Sequence, residues 1–213
     1  MWTDYVIVLY HGVKENYRYP TPYLQKVCRR LVDKGADLVL CQHSHCIGCE
    51  EKYKDSTILY GQGNFLFDDD DNDYGKTGLL VKLDARMSVS YIPVVKYQSV
   101  VRLADGDTAS KILREFMDRS KEAFSEECLL NRYNKLSLDY LPYYLQVAGG
   151  DDSPLYNKLN SLSHDRLRQY KIKHKYGIED MVALRNIIEC EVHNELFIRG
   201  LCHKSDILNS SGN

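Results

Sequence analysis

A strand–helix–strand pattern near the start of the chain constrains the fold more than any other feature. Residues 5–10 and 38–41 are continuous apolar runs rich in β-branched side chains, which is typical of strands buried on both faces. Between them, Thr21 and Pro22 predict the start of a helix, and Gly35 predicts its end. Such a βαβ unit places its two strands parallel to each other, so we predict an α/β fold.

Three further strands are predicted by shorter apolar runs, at residues 57–60, 78–83 and 89–97. The short segment between the last two predicts a hairpin. Pro93 indicates that residues 89–97 form an edge strand, because proline cannot donate a hydrogen bond to a neighbouring strand. The fold class is therefore α/β of the mixed (α+β) kind.

The pattern changes from strands to helices near residue 105. Apolar side chains then recur at helical spacing, broken once by Pro142, and the last long helix is predicted at residues 178–202. We therefore divide the chain into an α/β part at residues 1–104 and a helical extension at residues 105–213.

Composition excludes several classes of protein. The chain has 213 residues with 28 basic and 30 acidic side chains, and neither half is basic, so nucleic acid is not an expected partner. No apolar run approaches the roughly 18 residues of a spanning helix, and the N-terminus lacks the features of a signal peptide. Seven cysteines, an odd number without a secretion signal, indicate reduced thiols in a cytoplasmic chain.

Polar side chains follow three of the predicted strands, at the point where each strand ends. His11 follows the first strand, His43 and His45 follow the second, and Asn64 follows the third. The carboxyl ends of parallel strands form one rim, and residues two apart in extended chain point to the same side, so these side chains should converge. Because neutral imidazole is a ligand for zinc, manganese and iron, the pattern predicts a divalent metal site.

Each of these residues also has a structural explanation. A single histidine at a strand end, such as His11, is often a hydrogen-bonded structural residue. Asn64 is also compatible with a left-handed turn, and Glu15 with a solvated loop. The acidic run at residues 68–73 is typical of a solvated loop, with a cation site as the lesser alternative. The remaining histidines are expected at the surface: His164, His174, His193 and His203.

Three cysteines crowd the same segment as two of the histidines, which raises the alternative of a structural zinc site. Its candidate ligands are Cys41, His43, His45, Cys46 and Cys49, and Cys-x-x-Cys beside histidine is a metal-ligand spacing. Five potential ligands within nine residues do not easily surround one tetrahedral ion, and no second Cys-x-x-Cys follows. The zinc alternative is therefore weaker than the histidine site.

Three motifs resemble those of a known family. They are DYVIVLYHG at residues 4–12, GADLVLCQHSH at residues 35–45 and YGQGNFLF at residues 60–67. In order and spacing they resemble the CapA family of bacterial capsule and poly-γ-glutamate synthesis proteins. The resemblance covers about residues 4–100 and leaves out the helical part of the chain.

The resemblance implies the calcineurin-like metallophosphoesterase fold, a sandwich of two mixed sheets packed between helices. It implies that His11, His43 and His45 hold a divalent metal ion, such as manganese, zinc or iron. It also places His11, Glu15 and Asn64 at catalytic positions of a metal-dependent, phosphoesterase-like hydrolase. The implied substrate is a phosphate ester or a cell-surface polymer precursor.

The sequence departs from the family pattern in ways that bear on activity. Cys41, Gln42 and Ser44 replace a glycine, a histidine and a proline beside the metal histidines, and Val13 replaces a glycine. The family's N-terminal half, with its early Asp-containing and Asn-His metal motifs, has no counterpart here. We therefore expect the C-terminal half of a longer protein, with little catalysis of its own; a non-catalytic remnant is the alternative.

An incomplete domain should also leave apolar surface open. We expect the edge near residues 5–10 to favour self-association or pairing with the missing half. Members of the family are often membrane-associated.

Overall fold

The computed structural model describes residues 4–66, 73–97, 100–123, 125–149 and 153–190, together with 193–194, 197–198 and 200–201. Two compact units make up the chain, residues 1–136 and 137–213. The strands lie in the first unit, and the second is helical. The fold is α/β, as the sequence predicts.

The elements of the first unit begin with β1 (Ile7–His11), α1 (Pro22–Asp33), β2 (Leu38–Gln42), β3 (Glu50–Tyr53) and β4 (Ser56–Leu59). A 3₁₀ turn at Asp73–Lys76 then leads into β5 (Thr77–Leu83), β6 (Val89–Tyr97), β7 (Val100–Leu103) and α2 (Gly106–Glu122). Helix α3 (Glu126–Ala148) crosses the unit boundary, and α4 (Pro154–Leu162), α5 (Arg166–Lys175) and α6 (Ile178–Glu189) follow it.

The strands form two sheets. The first has the order β1-β2-β4-β3, in which β1, β2 and β4 run parallel and β3 runs antiparallel to β4. The second is antiparallel in the order β5-β6-β7, and its first two strands form the predicted hairpin. The parallel pairing of β1 with β2 across α1 confirms the predicted βαβ unit.

Helix α1 begins and ends where the sequence predicts. Thr21 is the N-cap, and its side-chain oxygen accepts a hydrogen bond from the N–H of Leu24 at 3.1 Å. Pro22 occupies the first turn, and Gly35 follows the helix with a φ of +103°, a conformation that glycine adopts without strain. The start and the end of α1, which leads from β1 to β2, are therefore set by local sequence.

Apolar side chains pack on both faces of the four-stranded sheet. Val39 and Cys41 of β2 face a cluster built with α1, whereas Leu38 and Leu40 face a cluster shared with the second sheet and α2. This alternation follows from the two-residue period of a strand. The first unit is thus layered as α1, the first sheet, and then the second sheet with α2.

The expectation that the first strand is buried on both faces is wrong. Val8 and Tyr10 pack against the α1 side, but Ile7 and Leu9 on the other face are 46% and 69% exposed. The reason is that, among the strands of the described residues, β1 lies at the edge of its sheet, next to β2. The expected association through this apolar edge stays a prediction.

The prediction that residues 89–97 form an edge strand is also wrong, because β6 lies between β5 and β7. The Pro93 carbonyl accepts a hydrogen bond from the N–H of Ala104 at 3.0 Å, just after β7 ends. The N–H and C=O of a residue in an antiparallel strand point to the same neighbour. The missing N–H of Pro93 therefore faces the end of β7, where the ladder stops.

Two helix predictions need correction. Helix α3 continues through Pro142, which removes one internal hydrogen bond without ending the helix. The single helix predicted to residue 202 is interrupted, because α6 ends at Glu189 and Cys190 has an extended backbone; the described residues from 193 to 201 are helical again, as predicted. The change from strands to helices falls after β7 as predicted, whereas the compact units divide after residue 136.

Buried amides hold the helical unit together. Gln146 donates a hydrogen bond to Asn157 at 3.0 Å, and the side-chain oxygen of Asn160 accepts one from the backbone of Arg168 at 2.9 Å.

Within the described part of the chain, no helix is both long and apolar enough to cross a membrane.

Candidate metal centre

The predicted histidines converge at one rim of the first sheet. His11 is the last residue of β1, and His43 and His45 follow β2. The ring centroids of His11 and His43 are 4.8 Å apart, and those of His43 and His45 are 5.8 Å apart. The predicted clustering is confirmed, because parallel strands end at a common edge.

The backbone that delivers His43 and His45 differs from the extended chain we expected. Strand β2 ends at Gln42, and both histidines have positive φ values, 96° and 55°. Between them, buried Ser44 donates a side-chain hydrogen bond to the Cys46 carbonyl at 2.8 Å, and its own carbonyl accepts one from Asn16 at 2.8 Å. These bonds hold a conformation that residues with a Cβ rarely adopt.

Glu15 lies beside the histidines and brings a carboxylate to the site. Its Oε1 is 3.4 Å from His43 Nε2. One ligand atom from each of Glu15, His43 and His45 lies within 4.8 Å of the others, and among the described residues no other histidine, cysteine or acidic side chains form such a group. His11 lies next to this group of three, and its ring packs on His43.

Asn64 is held in the site by its contact with His45. Its side chain is buried, and Oδ1 lies 3.0 Å from His45 Nδ1. An amide oxygen only accepts, so Nδ1 carries the hydrogen and the imidazole lone pair is on Nε2, the nitrogen that a metal ion would use. The Nδ2 of Asn64 is buried and has no hydrogen-bond partner among the described residues.

A glycine turn positions Asn64. Gly63 has a φ of +76°, and a Cβ there would lie 2.3 Å from the Thr77 carbonyl oxygen. The left-handed conformation therefore belongs to Gly63, and the turn interpretation of Asn64 is wrong. The same glycine allows residues 62–64 to approach β5 closely enough to form one wall of the site.

The three histidines, Gly63 and Asn64 line a cavity of about 290 Å³, called here the histidine cleft, and Glu15 lies beside it, next to His43. Two amides that the sequence analysis did not select also line it, since Gln42 Nε2 donates to Gln62 Oε1 at 3.1 Å. Both lie inside the recognised motifs, which was the signal that could have found them. Phe65, Leu66 and Leu80 supply apolar wall.

The cysteines of the same segment point into the core. Cys41, Cys46 and Cys49 are fully buried, and Cys41 lies 3.5 Å from Cys28, sulfur to sulfur. Burial raises the pKa of Cys46 and raises that of Cys49 to about 12, so the thiols stay protonated at neutral pH. The buried sulfur atoms do not line the histidine cleft, and this geometry argues against the structural zinc alternative.

The remaining candidates lie elsewhere. His164, His174 and His193 are exposed residues of the helical unit, as expected for surface residues. His203 lies outside the described residues, as do residues 68–72 of the acidic run.

Comparison with known proteins gives a match confined to the N-terminal third. Residues 2–69 match the family described as bacterial capsule synthesis protein PGA_cap. The capsule biosynthesis protein CapA of Bacillus anthracis is 35% identical over 65 residues, which are 30% of this chain and 16% of that protein. The PGA biosynthesis protein CapA of Bacillus subtilis (strain 168) is 34% identical over 65 residues, or 30% and 17% of the two chains.

The chain thus covers about a sixth of the length of these relatives. The family match stops short of the second sheet and ends well before residue 100, where the motif resemblance was expected to end. It contains all five candidate residues, His11, Glu15, His43, His45 and Asn64. Over residues 2–69, this chain is therefore similar to the PGA_cap family of bacterial capsule synthesis proteins and to the CapA proteins of Bacillus.

Proposed function

We propose that this chain takes part in capsule or poly-γ-glutamate synthesis and that its histidine cleft binds a divalent metal ion. The observation that carries the proposal is the convergence of Glu15, His43 and His45 within the stretch that matches the capsule family. The names of the relatives suggest capsule or poly-γ-glutamate synthesis as the process, and the donor atoms of the three side chains suggest metal binding.

The donor set fits a divalent cation. Two imidazoles and one carboxylate suit manganese, zinc or iron, and the negative charge of Glu15 offsets part of the charge of the ion. The 3.4 Å approach of Glu15 Oε1 to His43 Nε2 directs two electron-pair donors at the same point. When bound, the ion would act as a Lewis acid toward a phosphoryl or carbonyl oxygen.

The other cleft residues would position a ligand. The buried Nδ2 of Asn64 has a hydrogen to donate and no acceptor among the described residues, so it suits a ligand oxygen. His11 is exposed and lies beside His43, where an imidazole can hold or move a proton. Phe65 and Leu66 would exclude water from one side of a bound phosphate ester or polymer precursor.

One metal ion per chain is the occupancy this geometry supports. Two-metal hydrolysis needs a second set of ligands about 3.5–4 Å from the first ion, and the described residues hold a single group of three. We therefore expect little turnover of an aryl phosphate ester by this chain alone.

Metal analysis of the purified chain tests the proposal. We expect up to one manganese, zinc or iron ion per chain, with an affinity reduced roughly tenfold by Glu15→Gln and roughly a hundredfold in the His43→Ala/His45→Ala variant. His174→Ala, which removes an exposed histidine from α5, is the matched control. Equal metal binding by all of these variants would contradict the proposed site, and two ions with rapid turnover would contradict the single occupancy.

A further inference from the structure

A second cavity of about 290 Å³ lies in the same unit and shares no lining residue with the histidine cleft. We call it the arginine pocket. It is lined by Arg18, Ile47, Tyr74, Thr77, Thr108, Lys111, Ile112 and Glu115. Three of these eight side chains carry charge, which is unusual for a cavity that only packing requires.

Two guanidinium groups converge on the backbone of Ile47 and Gly48, beside this pocket. Arg18 donates from Nε to the Ile47 carbonyl at 3.1 Å, and Arg119 donates to the Gly48 and Ile47 carbonyls at 3.1 and 3.4 Å. The Arg119 side chain is buried, with only 8% of its residue exposed. The carbonyl contact of Arg18 uses only its Nε, so the outer edge of its guanidinium is still available to a ligand.

The positive charge of these groups is poorly balanced. Among the described residues, no carboxylate lies within hydrogen-bonding distance of either guanidinium, and Glu115 approaches Arg18 only to 4.0 Å. Burial, and then the nearby charge of Arg18, lower the pKa of Arg119 to about 10. Two like charges held together at a buried site destabilise each other unless an anion joins them.

We propose that the arginine pocket binds an oxyanion, a phosphate or carboxylate group of an anionic ligand. The Arg18 guanidinium would accept it as a planar fork, held in place by the Tyr74 ring 4.6 Å away. Lys111 lies on the α2 side of the pocket and adds a second positive charge. Arg119 does not line the cavity and contributes through its charge. This inference goes beyond the metal site and does not rest on it.

Isothermal titration of the metal-free chain, kept in chelator, tests the pocket with inorganic phosphate and with glutarate as separate probes. We expect saturable one-to-one binding of at least one probe, and the tighter of the two identifies the class of oxyanion. Arg18→Gln should weaken binding roughly tenfold or more and Lys111→Ala about threefold, since charge-assisted hydrogen bonds are the strong ones. Arg114→Ala, an exposed change on the same helix outside the pocket, should leave affinity unchanged.

The most discriminating variant is Glu115→Gln, which removes the carboxylate that competes with a bound oxyanion for Arg18. We expect it to tighten binding several-fold, a result that a purely structural role for Arg18 would not produce. Lys111 and Glu115 are exposed, so both variants should fold. The proposal would be overturned if neither probe bound saturably, or if Lys111→Ala and Glu115→Gln had the same affinity for the probe. It would also be overturned if Arg114→Ala lost as much affinity as Arg18→Gln.

Discussion

Residues 41–49 place two kinds of potential metal ligand in one short segment, and the fold separates them. His43 and His45 line the histidine cleft, where His45 contacts Asn64, and Glu15 approaches them from beside it. Cys41, Cys46 and Cys49 turn into the core. By their spacing in the sequence, the histidines and the cysteines are both candidate metal ligands. In the fold, the histidines line a cleft and the cysteines are buried in the core.

The separation follows from the backbone. Strand β2 alternates between the two faces of the sheet, which puts Cys41 against α1. The left-handed residues His43 and His45 then bend the chain around buried Ser44, and both imidazoles line the histidine cleft. Burial raises the pKa of the thiols, whereas the imidazoles line the histidine cleft, where a cation can reach them.

Thiol labelling should give the largest contrast within the chain. In the native protein at pH 8, we expect Cys28, Cys41, Cys46 and Cys49 to react at least about a hundredfold more slowly than half-buried Cys128 and Cys190, because they react only when the structure opens. Mass spectrometry of the labelled peptides assigns each rate. Rapid labelling of Cys46 or Cys49 would break the contrast, since it would mean that their thiols are accessible.

Metal affinity should separate the two sets next. The His43→Ala/His45→Ala variant should lose roughly a hundredfold in affinity for zinc, whereas Cys46→Ala/Cys49→Ala should keep it within about threefold. Titration in the presence of a competing chelator measures both. A larger loss from the cysteine pair would reverse the assignment of ligands.

The free energy of unfolding should depend on the buried cysteines more than on the histidines, the reverse of the order expected for metal affinity. Cys49→Ser places a hydroxyl where a thiol is fully buried, and we expect it to lower the free energy of unfolding by about 1–3 kcal/mol. His43→Ala should change it by less than about 0.5 kcal/mol, because partly exposed side chains contribute little. Urea denaturation compares them, with the half-buried Cys128→Ser as control. Equal effects at positions 43 and 49 would show that the two surroundings do not differ.

The pH dependence of stability should give the smallest effect. The pKa of Cys49 is raised in the folded state, to about 12, so its contribution is fully present below the unfolded pKa of about 8.5 and is lost as the pH rises toward 12. We expect stability to fall between about pH 8.5 and 9.5, with Cys49→Ala making the fall shallower by up to about 1 kcal/mol. An unchanged slope would mean that Cys49 is no more protected than in the unfolded chain.

Local signals in the sequence predicted the scaffold well. The Thr21–Pro22 start of α1 and the parallel pairing of β1 with β2 follow from short-range rules that the structure obeys. Those rules also bring His11, His43, His45 and Asn64 to one rim, because parallel strands must end together.

What the sequence analysis missed depends on neighbours that are distant in the chain. Strand β3, Glu50–Tyr53, was not predicted because its residues are mostly charged, and it forms by pairing with β4. Pro93 is compatible with the central position of β6 because β7 ends opposite it, and the residues around Pro93 do not reveal where β7 ends. Glu15 was predicted as a catalytic residue and not as a ligand, since only the folded loop shows its carboxylate beside His43.

X-ray absorption spectroscopy of the zinc-loaded chain tests the central claim most directly, because the first coordination shell distinguishes sulfur from lighter atoms. We expect only nitrogen and oxygen scatterers, at about 2.0–2.2 Å, from His43, His45 and Glu15. A sulfur shell at about 2.3 Å would contradict it, since that distance requires a cysteine ligand from the segment that the structure buries.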